Sequence, residues 1–345
     1  MTVSRSFRFL VRPFLTLTSV VFSLLALSAQ AALTTFKLGT LVPVGTSYHK
    51  TLMTLGEAWN RESNGSVALR IYAGGKSGGE AEMVALMMAN NLQAALLTAV
   101  GLAEIDRSVT SLQYIPMGFH SLDELDYVSE RLQGDLEERL RKKGFIVLFW
   151  TDGGWIRIFS KKPVSFPDDL RKQKVFSWSG EPEQRAVVTL AGFQPVPLET
   201  ADIVPGLQTG LIEAVSLPPF FALASQVDTR ASYMLDLNWA PIVGACVVWK
   251  DAWEKLSPEQ QKTLMASARK AGLEIKATAR RESTESVAAM QKRGLKVTAM
   301  TPETEKEWLK MSESVYPQLR GKVVPAEIFD RTMSLLAEYR SKNAR

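Results

Sequence analysis

The chain has 345 residues, 46% of them hydrophobic, 22% charged and 9% aromatic, with 41 basic against 36 acidic side chains for a formal charge of +5. This composition has apolar material for two cores and excludes disordered, collagen-like and coiled-coil architectures. A single cysteine, Cys246, cannot close an internal disulfide, and His49 and His120 cannot by themselves furnish a usual structural zinc site.

Arg5, Arg8 and Arg12 precede an uncharged run from Phe14 to Ser28, and small residues follow at Ala29, Ala31 and Ala32. Basic flank, short apolar run and a small-x-small site at Ala29-Gln30-Ala31 predict a secretory signal peptide over residues 1–31. The run is short for a membrane span, which needs about twenty apolar residues. No cysteine follows it to carry a lipid. Cleavage after Ala31 would leave 314 residues, remove three arginines and no acid, and lower +5 to +2. So small a charge gives no electrostatic footprint for nucleic acid. The predicted address is the periplasm of a Gram-negative bacterium.

Beyond the signal, short β-branched or aromatic runs alternate with amphipathic stretches, the rhythm of βαβ units feeding a largely parallel sheet, so an α/β fold is expected. Strand 35–41 leads to helix 48–61, which the turn Ser63-Asn64-Gly65 closes, and strand 67–72 follows. The glycine-rich segment 74–79 enters helix 80–89, and 92–97 is again extended. Leucines 122, 125, 132, 136 and 140 lie on one face of a helix over 122–143 that stops at Gly144, before the aromatic strand 145–150.

A second unit is expected from Gly153-Gly154 onward, with strands 155–160 and 174–178 and a turn at 195–197 between two helices. Helix 200–209 then stops at Gly210, and strands over 211–217, 233–237 and 243–249 follow. Ser257 as N-cap, Pro258 in the first position and Gln260 in the third begin a helix to about 293. Unbroken, it would reach roughly 50 Å at about 1.5 Å per residue and brace two lobes at once. A break or kink at Gly272 is the alternative.

Enzyme motifs fail on spacing. A phosphate loop ending in Gly75-Lys76-Ser77 needs a glycine where Arg70 stands, and Ser177-Trp178-Ser179-Gly180 has a serine where a nucleophile elbow needs its first glycine. Met83 and Met87, one turn apart, predict core packing rather than a metal or cofactor contact. No enzyme activity, cofactor or metal is expected. Aromatic residues do gather at predicted strand ends, at Trp150, Trp155, Phe176, Trp178, Phe220, Phe221 and Trp239, where open α/β sheets place their ligands.

The order of these features resembles the DctP-type solute-binding proteins of tripartite ATP-independent periplasmic (TRAP) transporters over nearly the whole mature chain. The most specific segments are Leu190-Ala191-Gly192-Phe193-Gln194-Pro195-Val196-Pro197-Leu198 and Leu207-Gln208-Thr209-Gly210-Leu211-Ile212-Glu213-Ala214. Phe166-Pro167-Asp168-Asp169-Leu170 and Asn238-Trp239-Ala240-Pro241 support them. The resemblance implies a periplasmic-binding-protein-like fold of two lobes that close on one small-molecule ligand. It also implies delivery to small and large integral membrane subunits without any nucleotide; a monomer is expected. The predicted division is lobe I at 32–154 plus about 240–270, lobe II at 155–239 plus about 290–345, and a linking helix at 257–293.

Two departures bear on the ligand. The family's carboxylate-binding arginine, two residues into the strand after the Asp-Leu segment, aligns with Phe176 in Lys174-Val175-Phe176-Ser177, and its asparagine before proline aligns with Leu217 before Pro218. A charge-assisted hydrogen bond contributes about 1.5–3 kcal/mol, and a buried carboxylate without its partner loses more. An apolar or amphipathic ligand is therefore expected, held by Tyr48, Trp150, Trp155, Phe176, Trp178, Leu217, Phe220, Phe221 and Trp239. Arg157, near another ligand-contacting arginine of the family, is the candidate for a head group or a carboxylate. Alternatives are a carboxylate held by Arg157, a quaternary ammonium group in an aromatic cage, and a sensor subunit on the same fold.

Overall fold

A computed structural model describes residues 1–2, 33–179 and 182–343, leaving the side chains of 183 and 184 aside. The predicted signal segment lies almost wholly outside the described residues. The strands are β1 (Thr34–Thr40), β2 (Val67–Tyr72), β3 (Ala94–Thr98), β4 (Phe145–Ser160), β5 (Lys174–Trp178), β6 (Gln194–Leu198), β7 (Ala214–Leu217), β8 (Tyr233–Trp249) and β9 (Lys296–Thr298). The first helices are α1 (Ser47–Glu62), α2 (Glu80–Met88), α3 (Ala99–Ile105), α4 (Leu122–Lys142), α5 (Pro167–Arg171) and α6 (Pro182–Leu190). The remaining helices are α7 (Ile203–Thr209), α8 (Pro219–Ala224), α9 (Lys250–Trp253), α10 (Pro258–Lys292), α11 (Pro302–Leu319) and α12 (Ala326–Asn343).

The strands run in the order β2-β1-β3-β8-β4-β7-β5-β6, with β9 paired to β8. The sheet is mixed rather than largely parallel. β1 runs parallel to β2 and β3, and β5 parallel to β6 and β7. The central pair β4–β8 is antiparallel, as are β3–β8 and β4–β7.

β4 and β8 are long because each serves two halves of the molecule. Their outer ends, Phe145–Asp152 and Val243–Trp249, pair with each other, and β3 extends that half; their inner ends, 155–160 and 233–241, pair with each other, with β7 and β9 alongside. Sequence reading breaks each into two strands. Gly153 and Gly154 instead let one strand continue through a register shift between Asp152 and Trp155, with Gly154 in the left-handed region at φ +75°. The predicted turn at 195–197 is also corrected: Pro195 and Pro197 sit in β6, the edge strand, where a missing amide donor is tolerated.

Each half packs helices on both faces of its strands. In the first, Met83, Met87, Leu132, Leu136 and Phe145 form one cluster, and Phe36, Leu52, Trp59, Leu148 and Phe149 another on the side of α1 and α10. In the second, Phe159, Phe176, Leu207, Leu217 and Met290 form a cluster beneath α8 and the end of α10. Helix α10 begins with Ser257 Oγ accepting from Gln260 N and Gln260 Oε1 accepting from Ser257 N, and runs unbroken through Gly272. Gly272 does not break it. A Cβ there would stand 2.6 Å from three atoms of Phe149, so glycine lets the helix lie directly on β4.

Candidate functional site

The C-terminal ends of β1 and β3 in one half, and of β5 and β7 in the other, open onto a shared cleft. The N-termini of α1, α2 and α8 point to the same place. Its inner part is a chamber of ≈ 100 Å³. One half contributes Leu41, Val42, Pro43, Tyr48, Leu96 and Leu97, and the other Trp178, Leu217, Pro218, Phe220 and Phe221. The crossing strands supply Thr151–Gly153 and Ile242–Gly244 as the floor. Outside it lies a wider mouth of ≈ 730 Å³, bordered by Gly74, Gly75, Gly78 and Gly79 of the glycine-rich loop, the start of α2 and the segment Ser179, Glu199–Ala201.

Tyr48 and Phe220 stack across the two halves, ring centroids 5.1 Å apart and planes within 8°. The close approach depends on Gly153, where a Cβ would lie 2.6 Å from Ile242, 3.1 Å from Phe220 and 3.4 Å from the Tyr48 hydroxyl. Burial pushes the Tyr48 phenol well above the usual range, and the nearby Asp152 and Glu282 charges push it further. It stays a neutral donor, to the Asp152 carbonyl at 3.1 Å.

Almost every polar side chain of the chamber is already engaged. Thr40 Oγ1 accepts from Val42 N, and Thr200 Oγ1 accepts from the Trp178 indole at 3.0 Å. Glu80 accepts from Thr98 N at 2.9 Å, Thr98 Oγ1 at 2.8 Å and Gly101 N at 2.8 Å. Burial raises its pKa, and those three hydrogen bonds only partly oppose the rise. Asp152 takes two hydrogen bonds from Arg280 of α10. Thr151, 7% exposed, holds its hydroxyl beside the Tyr48 phenol, which partly opposes the rise in that phenol's pKa. Among the described residues, no arginine, lysine or histidine lines the chamber or the mouth.

Of the residues expected from sequence, the chamber gathers Tyr48, Trp178, Leu217, Phe220 and Phe221. Phe176 and Trp239 line a separate side pocket of ≈ 40 Å³ behind Trp178; Phe176 is 1% exposed and meets Trp178 edge-on at 4.9 Å. Three candidates lie elsewhere. Trp150 donates its indole N–H to Glu137 of α4 at 3.0 Å and lines a groove between α4 and α10. Trp155 packs against the α4-side core, and lines neither chamber nor mouth. Arg157 stands opposite Leu217 in the β4–β7 ladder, but its guanidinium is taken by Asp236 at 3.2 Å and by Asn238, both on β8. It too lines neither cavity, and burial lowers its pKa, opposed by Asp236.

Sequence reading missed Leu41–Pro43, Glu80, Leu96–Thr98, Thr151–Gly153, Thr200 and Ile242–Gly244. The end of a parallel strand was the available signal for the first and third of these groups. Among the described residues, no group of three or more His, Cys, Asp or Glu could hold a metal ion.

Comparison with known proteins agrees with this fold. The model of the DctP family, bacterial extracellular solute-binding protein family 7, matches residues 38–322. The chain belongs to this family. It is 30% identical over 139 residues to the 2,3-diketo-L-gulonate-binding periplasmic protein YiaO of Escherichia coli K12, covering 40% of this chain and 42% of that one. It is 22% identical over 293 residues to the sialic acid-binding periplasmic protein SiaP of Vibrio cholerae, covering 82% and 89%. The crystal structure of a TRAP periplasmic solute-binding protein from Ralstonia eutropha, with (S)-2-acetolactate bound, superposes with a TM-score of 0.82 at 18% identity, covering 88% of this chain and 99% of that one. The two-lobed α/β architecture expected for this DctP-family member is thus that of TRAP solute-binding proteins, and the family is one of solute receptors rather than enzymes.

Proposed function

We propose that this DctP-family protein is the periplasmic capture subunit of a TRAP transporter. In this reading it is exported by its N-terminal segment, takes up an apolar or amphipathic solute between its lobes, and delivers it to small and large integral membrane subunits. The relatives named above bind organic acids, so this reading sets the chain apart in ligand rather than in role.

One observation carries it: among the described residues, no cationic side chain lines the chamber or the mouth of the cleft. A carboxylate moved into such a site would shed its water without meeting a cationic partner, at a cost of several kcal/mol. Apolar contact supplies an alternative source of affinity. Burying about 300 Å² of ligand surface contributes roughly 7 kcal/mol at about 25 cal/mol/Å², before association costs.

A thermal-shift screen of matched ligands tests this, together with native mass spectrometry of the purified protein and denaturing extraction of whatever it holds. Apolar or amphipathic compounds are expected to raise the melting temperature, and short dicarboxylates and sugar acids to leave it unchanged. Tight binding of succinate-like or sialic-acid-like ligands with no response to apolar ones would overturn the proposal.

A further inference from the structure

The side pocket is divided from the cleft by one side chain. Among the described residues, Trp178 alone lines the chamber, the mouth and the side pocket of ≈ 40 Å³, which otherwise shares no lining residue with either space. A cavity needs about 10–15 Å³ to hold one water, so the side pocket is more than a packing gap. Ile156, Phe176, Val187 and Trp239 give it largely apolar walls. Those walls are backed: Trp239 meets Phe193 and Trp308 at ring-centroid distances of 6.3 and 6.1 Å, and Phe176 is 1% exposed.

The dividing indole is braced. Phe176 meets it edge-on at 4.9 Å, and its N–H donates to Thr200 Oγ1 at 3.0 Å. Swinging it aside would give up both contacts, so the ring resists displacement by a lengthening ligand. An apolar chain gains about fourfold in affinity for each methylene it buries. At the indole that gain ends, because further length has only the open mouth to enter and stays partly wet.

Resting on the reading of the cleft as an apolar ligand site, we propose that Trp178 sets the length of ligand the protein accepts, the ligand's apolar end abutting the indole and the side pocket behind it staying out of reach. Selection is then by exclusion: space that a longer chain could use exists a ring's thickness away and is closed to it.

Isothermal titration with the 1-alkanols from butanol to nonanol, and with succinate, tests this without varying charge along the series. In the wild-type protein the gain of about fourfold per carbon is expected to level off within the series. In Trp178→Ala, its fold verified by its melting curve, the gain should continue for about two further carbons or more, because removing the indole joins chamber and side pocket. Among the described residues Trp178 is also the one tryptophan lining the chamber. A terminally brominated alkanol should therefore quench tryptophan fluorescence in the wild-type protein, and Trp178→Phe, which keeps an aromatic ring, should remove most of that quenching. This second readout decides the matter if the alanine variant does not fold. If alkanols bind but the gain never levels off, or ends at the same carbon in Trp178→Ala, or the quenching is absent or survives in Trp178→Phe, the length-setting role is wrong and the apolar site stands. If no alkanol binds and succinate does, the apolar reading fails and this inference with it; binding of neither overturns the length-setting role directly.

Discussion

Arg280 is the side chain whose removal tests how the lobe crossing is held. It donates to Asp152 through Nε at 2.9 Å and Nη2 at 2.7 Å, and to Asp126 of α4 through Nη1 at 2.9 Å and Nη2 at 2.7 Å. Asp152 is only 4% exposed and sits immediately before the Gly153-Gly154 crossing of β4; its carbonyl receives Tyr48 and its carboxylate also receives Gly154 N at 3.2 Å. Ser283 of the same helix donates to the Gly153 carbonyl at 3.1 Å. Arg280→Met keeps the stem and strands a buried carboxylate, a change that costs about 3–5 kcal/mol. Lys276 Nζ, 3.7 Å from Asp152 Oδ2, offsets part of it, which leaves about 3 kcal/mol. An unfolding entropy of about 2.1 cal/mol/K per residue over roughly 310 residues turns that into a fall in Tm of about 4–5 °C by calorimetry. Asp152→Asn in the Arg280→Met background should cost less than the two single changes together, with a coupling of about 1–3 kcal/mol. A Tm within about 1 °C of wild type for Arg280→Met, or a strictly additive cycle, would refute the idea that α10 clamps the crossing through this ion pair.

Three further outcomes are expected. Gly153→Ala, whose methyl would collide with Ile242 and press on Phe220 and Tyr48, should lower Tm by overpacking worth about 1–3 kcal/mol and weaken any chamber ligand in titration; unchanged affinity would place the ligand elsewhere. Thr151→Val removes the buried hydroxyl beside the Tyr48 phenol at nearly constant shape, so the ligand-free protein should lose about 1 kcal/mol in denaturant melts, and a ligand bonded to that hydroxyl should lose about tenfold in affinity. Glu124, 5% exposed, accepts Arg340 of α12 at 2.8 and 2.9 Å. Burial alone would raise its pKa, but hydrogen bonds from Arg340 and the His120 amide outweigh that and hold it below the ordinary value. Because the folded-state pKa is depressed, the pair's stabilisation is complete above the unfolded carboxyl value of about 4.3 and is lost as pH falls through the folded one. Glu124→Gln should lower Tm at pH 7 and flatten its acid limb below about pH 5; an unchanged acid limb would show that the pair does not anchor α12.

Elements that declare themselves by local chemistry were legible in the sequence. The capping box at Ser257 and Gln260, the leucine face of α4 and the compact β5 all lie where residue patterns put them. The crossing strands were not legible, because paired glycines ordinarily signal a turn. Only the partner strand reveals that Gly153 is small so that Ile242, Phe220 and Tyr48 can meet over it. The site suffered from parity. Alternation along β4 would send Leu148 and Phe149 to opposite faces, yet both join the α1- and α10-side core because the register slips between Val147 and Phe149. Trp150 is carried with that slip to the α4 side, away from the cleft, and no composition or spacing rule could show it.

The two apolar residues singled out in the sequence, Leu217 and Phe176, stand in different surroundings. Leu217 lines the chamber and meets the ligand's space directly. Phe176 does not; it stands behind Trp178, holding that indole edge-on, while Thr200 Oγ1 holds its N–H from the other side. Trp178 is thereby fixed as a wall between the chamber and the side pocket. An arginine at 176, buried to the same depth, would need an anion supplied by every ligand the protein held, and would be an uncompensated charge whenever the cleft was empty. Phenylalanine fills that volume without the requirement, and Arg157, the nearest alternative on β4, is already neutralised by Asp236. Under the proposed apolar-ligand reading, Leu217 in the chamber wall and the held Trp178 indole supply contact surface rather than charge.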